Sequence, residues 1–327
     1  MKRNNIITHA ALTAALFTTT AHAQQSTGDF PQRPVRFVVG YAPGGTTDIL
    51  SRILALHLTQ SLKQQVIVEN RPGAAAQIAS DITAKSTADG HTLLFTPSGS
   101  HTVNPSLFKK LPYDTIKDFA PITLAAWVSN MIVTHPTSPL NSLQDLIKLA
   151  KAKPGSITYA SSGTGTVAHL SAEMLKSVAS IAMTHVPYKG GGPALAAIMS
   201  NETTVMFAAL PSATPFIQSK RIKPLAVTSP KRVSTMPDVP TVVEAGVPGI
   251  GVMEWYGALA PAKTAPTIID KLNAEIVRVV KRPDVQTRFG ELGADPVGNS
   301  PREFAKQIES DVAMWAKIVE SSGARAD

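Results

Sequence analysis

Short runs of β-branched and aromatic residues recur along the chain. Each is cut off by a cluster of glycine, proline or hydroxyl residues before a helical pattern begins. Val35-Arg36-Phe37-Val38-Val39 is the first run, ended by Gly40-Tyr41-Ala42-Pro43-Gly44-Gly45. Thr46, Thr47 and Asp48 then open a helix whose apolar positions are Ile49, Ile53, Leu54 and Leu58. Val66-Ile67-Val68 predicts a second strand, ended by Asn70-Arg71-Pro72-Gly73 and followed by a helix of small residues. Leu93-Leu94-Phe95 predicts a third, ended by Thr96-Pro97-Ser98-Gly99-Ser100. The order βαβαβ implies a parallel sheet with helices on both faces.

A second cycle begins near Met131-Ile132-Val133, with a helix from about Leu143 to Ala152. Ile157-Thr158-Tyr159-Ala160 predicts a strand ended by Ser161-Ser162-Gly163-Thr164-Gly165-Thr166. The helix after it, about Val167 to Ser177, carries Val167, Leu170 and Met174 on one face. Further strands are predicted at Thr203 to Phe207 and Lys223 to Val227. Pro230 to Gly251 is rich in proline and glycine and reads as an irregular connection. Two amphipathic helices, about Thr267 to Lys281 and Pro301 to Ser321, close the chain. The fold class is therefore α/β, with two βαβ-type halves.

Composition narrows the function. With 327 residues, 43% hydrophobic and 17% charged, the chain has material for a packed core. The net charge of +8 invites a nucleic-acid reading, but lysine and arginine are dispersed, with no run of five or more. No nucleic-acid partner is expected. Absence of cysteine excludes disulfides, thiolate metal sites and cysteine nucleophiles. At the start, Lys2 and Arg3 precede a modestly apolar stretch from Ala10 to Phe17 and then Ala21-His22-Ala23. That is the pattern of an export signal with an A-x-A cleavage site. It places the signal peptide at 1–23 and the mature start at Gln24, lowers the net charge from +8 to +6, and implies a periplasmic location.

In open parallel sheets, ligands sit beyond the carboxyl ends of the strands. Here those ends are dense in small and hydroxyl residues: Tyr41 to Asp48, Thr96 to His101, and Ser161 to Thr166. Accessible main-chain N–H groups, helix N-termini and hydroxyls suit a carboxylate or phosphate without an arginine clamp. The residues singled out are Tyr41, Ala42, Gly44, Gly45, Thr46 and Thr47 in the first loop, Ser98 and Ser100 in the second, and Ser161, Ser162, Gly163, Thr164 and Thr166 in the third. Asp48 is open to two readings, a first-turn acid facing the helix dipole or a group that orients the Pro43-Gly44-Gly45 loop. His101 and His169 each follow a loop and are candidates to touch an acidic ligand, with a capping role the alternative for His169. Trp127 and Trp255 read as core residues near the two places where the chain changes halves.

Gly163-Thr164-Gly165-Thr166-Val167-Ala168 fits G-x-G-x-x-A, but the stretch about 20 residues on lacks the acid that would hold a ribose. No G-x-S-x-G, H-E-x-x-H or P-loop sequence occurs, and the histidines show no metal-ligand spacing. No cofactor, metal or catalysis is expected.

The ordered set of pieces resembles the Bug (TctC-type) binding proteins of tripartite tricarboxylate transporters. It begins with Phe30 to Val39, Tyr41 to Gly45 and Thr47-Asp48, and continues in Val68 to Gly73, Asn104 to Phe108 and Leu111 to Asp114. Tyr159 to Gly163 with His169-Leu170, His185 to Gly190, Leu225 to Ser229, Pro237 to Thr241 and Glu244 to Pro248 complete it. The resemblance implies a two-lobed type II periplasmic binding protein, the Venus flytrap, each lobe a mostly parallel sheet flanked by helices. Lobe 1 would span 24–126 plus 251–327, and lobe 2 127–250. It further implies a small organic acid held by Tyr41 to Asp48 and Ser161 to Thr166, with ordered water bridging to the main chain. The implied partners are the membrane components of the transporter, served by a monomer. Where many relatives read Met-Phe-Asp-Asn, this chain has Met206-Phe207-Ala208-Ala209, so Ala208 removes an acid and argues against an amino-acid ligand. Two competing functions remain: an enzyme, for which no nucleophile–base pair is visible, and a ligand-sensing module for a membrane signalling partner, which the same fold permits.

Overall fold

The computed structural model describes residues 30–322; the expected signal peptide and mature start lie outside the described residues. The first half opens with β1 (Val35–Val39), α1 (Thr46–Leu62), β2 (Val66–Asn70), α2 (Gln77–Ala84), β3 (Thr92–Pro97) and the short α3 (Asn104–Leu107). β1 pairs in parallel with β2 and β3. Leu50, Leu54 and Leu58 of α1 recur at helical spacing and are buried with Phe37 and Phe95 of the strands. Burying each such side chain contributes about 1.5–3 kcal/mol. A left-handed Lys63 (φ 54°) ends α1.

β4 (Phe119–Thr134) is a 16-residue strand that belongs to both halves. The second half follows: α4 (Leu143–Ala152), β5 (Ile157–Ser161), α5 (Val167–Ala179), β6 (Met183–Pro187), α6 (Gly191–Met199), β7 (Val205–Ala209), α7 (Leu210–Gln218) and β8 (Lys223–Val227). β5 pairs in parallel with β6 and β7, and Tyr159, Phe207, Leu146 and Leu225 centre its core. β9 (Met253–Pro261) then returns to the first half, followed by α8 (Pro266–Val280), α9 (Pro283–Glu291), β10 (Ala294–Pro296) and α10 (Pro301–Ser322). The strands run β2-β1-β3-β9-β4-β7-β5-β6, with β8 and β10 also on β4.

The antiparallel β4 and β9 are the crossing strands. From Phe119 to Ser129, β4 pairs with β9, and from Asn130 to Thr134 it pairs with β7 and β8. The handover between Ser129 and Asn130 joins the two halves. Register shifts fall around Pro121 and Ala125, the first beside a proline that cannot donate to the ladder. Trp255, fully buried, faces Trp127 across β4 and β9 and donates through Nε1 to Asp311 of α10 at 2.7 Å.

Sequence periodicity located β1, α4, β5 and β8 closely. It read only the end of β4, and it missed α3, β6, α6, α7, β9, α9 and β10. β4 is buried along nearly its whole length, so it shows no alternation, and its proline and polar positions break the apolar run. The sheet is mixed, because the crossing strands run antiparallel.

Candidate ligand-binding site

Two cavities lie between the halves and share Tyr41 and Ser162 in their walls. The larger, about 310 Å³, is bounded by Gly73 to Ala76 and Phe108 on one side and by Ser162 to Thr164 with Pro187 to Lys189 on the other. The smaller, about 30 Å³, is walled by Gly45, Thr46, Thr47 and Gly99 of the first half. Ser162, Thr166, Gly191, Ala209 and Ser212 face them from the second, with Glu254 and Tyr256 of β9 completing the wall.

Four helices begin at the smaller cavity. α1 starts after Gly45, α5 after Thr166, α6 after Gly190 and α7 after Ala209, and Gly45, Thr166, Gly191 and Ala209 all stand in the wall. First-turn N–H groups have no intrahelical partner, so each helix start presents donors and partial positive charge. Gly45, Gly190 and Ala209 offer no side-chain cap that would occupy them. Hydroxyls of Thr47 and Ser162 add donors, those of Thr46 and Ser212 donate to the Ala209 carbonyl at 3.5 and 2.9 Å, and no lysine or arginine stands in this wall. Such a site can hold an anion without a counter-charge.

Each loop is braced from behind. Asp48 accepts from Gly44 N at 3.0 Å, from Arg52 Nε at 2.9 Å and from Asn70 Nδ2 at 3.0 Å, while Asn70 also donates to the Tyr41 carbonyl. Burial pushes the Asp48 carboxyl up, but those donors and the Arg52 charge outweigh it and hold it below the usual carboxylate range. In the second half, Thr166 Oγ1 donates to the Gly163 carbonyl at 2.7 Å and caps α5 by accepting from His169 N at 3.3 Å. Ser161 Oγ accepts from Gly163 N and sits 2.7 Å from His185 Nε2.

The family model described as tripartite tricarboxylate transporter family receptor matches residues 50–324. The chain belongs to that family. BugT of Bordetella pertussis is 36% identical to this receptor over 304 residues, which cover 93% of each chain. Among solved structures, Rpa4515 of Rhodopseudomonas palustris, determined with adipate, superposes with a TM-score of 0.88 at 33% identity, covering 91% of this chain and 99% of that one. MatC from the same organism, with bound malate, gives a TM-score of 0.84 at 32% identity, covering 89% of this chain and 100% of that one. The receptor has the architecture of the periplasmic binding proteins. No helix among its described residues is long and apolar enough to cross a membrane.

Several residues singled out in the sequence line neither cavity of the receptor. His101 is fully buried because β3 runs into a π-helical turn, Gly99–Val103, that turns the ring into the core against Phe119 and Trp255. Burial there lowers its pKa to about 4. Gly99, not Ser98 or Ser100, stands at the cavity: the Ser98 carbonyl accepts from Thr102 Oγ1, and the Ser100 hydroxyl bonds Thr96 and the Pro97 carbonyl. His169 lies behind its loop, accepts from Gly165 N at 3.2 Å and stacks on His185 at 4.2 Å. Burial, with a smaller push from the Lys176 charge, lowers its pKa against the opposing Glu173 charge. Ala208 is buried in the second half's core while its neighbours Phe207 and Ala209 face the smaller cavity. Asp48, Ala42, Gly44 and Ser161 act through the main chain of the loops, with Ala42 N donating to the Lys189 carbonyl of the other half.

Sequence reasoning missed Glu254. It is 5% exposed, lines the smaller cavity from β9, and sits beside Tyr256 and Asn130. Burial raises its carboxyl to about 7, against partial relief from those two neighbours. The cavity therefore does contain an acid, supplied by β9 rather than β7, which corrects the expectation drawn from Ala208. Its signal was one glutamate in the β-rich run Met253-Glu254-Trp255-Tyr256. Also missed were Ala74, Ala75 and Ala76, all left-handed at φ 45°, 50° and 67°, in the wall of the larger cavity. Strained backbone of this kind persists where the surroundings over-determine it, often at ligand sites.

Proposed function

We propose that this receptor binds a small organic carboxylate between its lobes and hands it to the membrane components of a tripartite tricarboxylate transporter. The observation that carries the reading is the meeting of four helix N-termini, from both halves, at one cavity free of cationic side chains. The carboxylate sits there, on main-chain donors, hydroxyls and ordered water. The rest of the ligand extends past Tyr41 and Ser162 into the larger cavity, between Ala74 to Ala76 and Phe108 on one side and Pro187 and Tyr188 on the other. A di- or tricarboxylate or an aromatic acid fits that description, and the adipate and malate complexes of the relatives support it.

The receptor acts in the periplasm after cleavage before Gln24, as a monomer whose lobes comprise 24–126 plus 251–327 and 127–250. The change of partners along β4 between Ser129 and Asn130, three residues past the proposed boundary, supports a division in this strand. A thermal-shift screen of mono-, di- and tricarboxylates, aliphatic and aromatic, tests the function. At 100 times its dissociation constant, a ligand stabilises the folded state by about 2.7 kcal/mol. At least one carboxylate should raise the melting temperature in a concentration-dependent way. A shift with neutral or cationic solutes and none with any acid would overturn the proposal.

A further inference from the structure

The smaller cavity combines two features that conflict electrostatically. Helix starts and hydroxyls draw an anion into it, and the Glu254 carboxyl stands in the same wall. Two ionised carboxylates in so small a cavity would face each other at short range, with no cationic side chain in its wall to separate them. Like charges that close cannot both ionise; the pair retains a proton.

The groups facing Glu254 offer hydrogen bonds but no opposite charge. Tyr256 lies beside it on β9, Asn130 faces it from β4, and Tyr41 approaches from the loop before α1. Thr46 of α1 reaches the same group through Tyr256. Among the described residues, no lysine, arginine or histidine acts on the carboxyl. The Asn130 carboxamide and the Tyr41 hydroxyl are buried and make no hydrogen bond within the protein, so the cluster has polar capacity in reserve beside the cavity.

We propose that Glu254 is a specificity-determining residue that meets the bound carboxylate as a neutral acid, so that ligand and one proton are taken up together. The proton comes from solvent, and the carboxyl O–H donates to the ligand carboxylate or to the water bridging it. Affinity then depends on pH through a group of the receptor, and the site favours an anion over an ammonium. The inference rests on the carboxylate reading above.

Calorimetry of adipate and malate, each titrated in two buffers of different ionisation enthalpy from about pH 7 to about pH 9, reads the proton directly. Both acids are fully ionised in that range, so proton exchange belongs to the receptor. Uptake should approach one proton per ligand, with affinity falling close to tenfold per pH unit at the alkaline end. Glu254→Gln, which keeps a donor and cannot titrate, should bind without uptake and with flat affinity. Binding without uptake by the parent, or uptake unchanged in E254Q, would overturn the inference and leave the carboxylate site standing. Proton release would also overturn it, since the carboxyl would then be ionised in the complex. If no acid in the wider panel binds, the carboxylate reading falls and takes this inference with it. The parent measurement decides even where the variant fails to fold.

Discussion

The main-chain N–H of Ala42 donates to the carbonyl of Lys189 at 2.9 Å, a hydrogen bond that runs from one half of the receptor to the other. Around it the two loops meet backbone to backbone. A Cβ on Gly192 would lie 2.5 Å from the Pro43 carbonyl, and one on Gly45 would lie 3.2 Å from Gly191 N. The two halves therefore touch across the cleft, and side-chain-free backbone is what permits the contact.

Gly192→Ala should hold the halves apart, because main-chain atoms, unlike a flexible side-chain tip, cannot swing away. Small-angle scattering should show the parent contracting with ligand while the variant keeps a larger radius of gyration and binds at least tenfold more weakly. Equal contraction in both would show that closure does not depend on this contact.

Asp48 fixes the first loop from behind, through Gly44, Arg52 and Asn70. Asp48→Asn should cost about 1.5–3 kcal/mol of stability, the range for hydrogen bonds to a charged group. Since the folded-state pKa is lowered, this contribution is present above the ordinary carboxylate value and lost as pH falls through the lowered one. Acid denaturation should accordingly be less steep in D48N. Identical acid profiles would place the bracing elsewhere.

Glu254 acts on stability with the opposite sign. Its folded pKa, about 7, lies above the ordinary 4.5, so the folded state holds the proton more tightly. Stability from this group is fully present below about pH 4.5 and declines as pH rises toward 7, by at most about 3 kcal/mol. Denaturant titrations of ligand-free parent and Glu254→Gln across that window should converge toward low pH and separate toward neutral pH, the variant being the more stable there. Parallel curves would mean that the carboxyl titrates normally.

Much of the site was legible because strand-end loops announce themselves. Each of Gly40 to Gly45 and Ser161 to Thr166 follows a β-rich run and precedes a helical one, and both face the cavities. Lys189 to Gly192 carries the same signal, a glycine run between β6 and α6, and stood only as part of the family likeness. His101 and Glu254 were illegible for a physical reason. Which face of the chain a side chain takes depends on a π-helical turn in one case and on strand register in the other, and neither leaves a periodic trace. The crossing strands were obscured because burial on both faces removes alternation.

The binding site itself is tested most directly by titrating adipate and malate into the parent, Ser162→Ala and Thr47→Val by calorimetry. Each variant deletes one hydroxyl at the smaller cavity, from opposite halves, with little change of shape. Lys63→Ala, at the far end of α1, is the control. A hydrogen bond to a charged group is worth roughly 1.5–3 kcal/mol, so each hydroxyl variant should bind about tenfold or more weakly than the parent, with the control unchanged. Hydroxyl variants that bind like the parent while Lys63→Ala loses affinity would contradict a carboxylate held between these two loops.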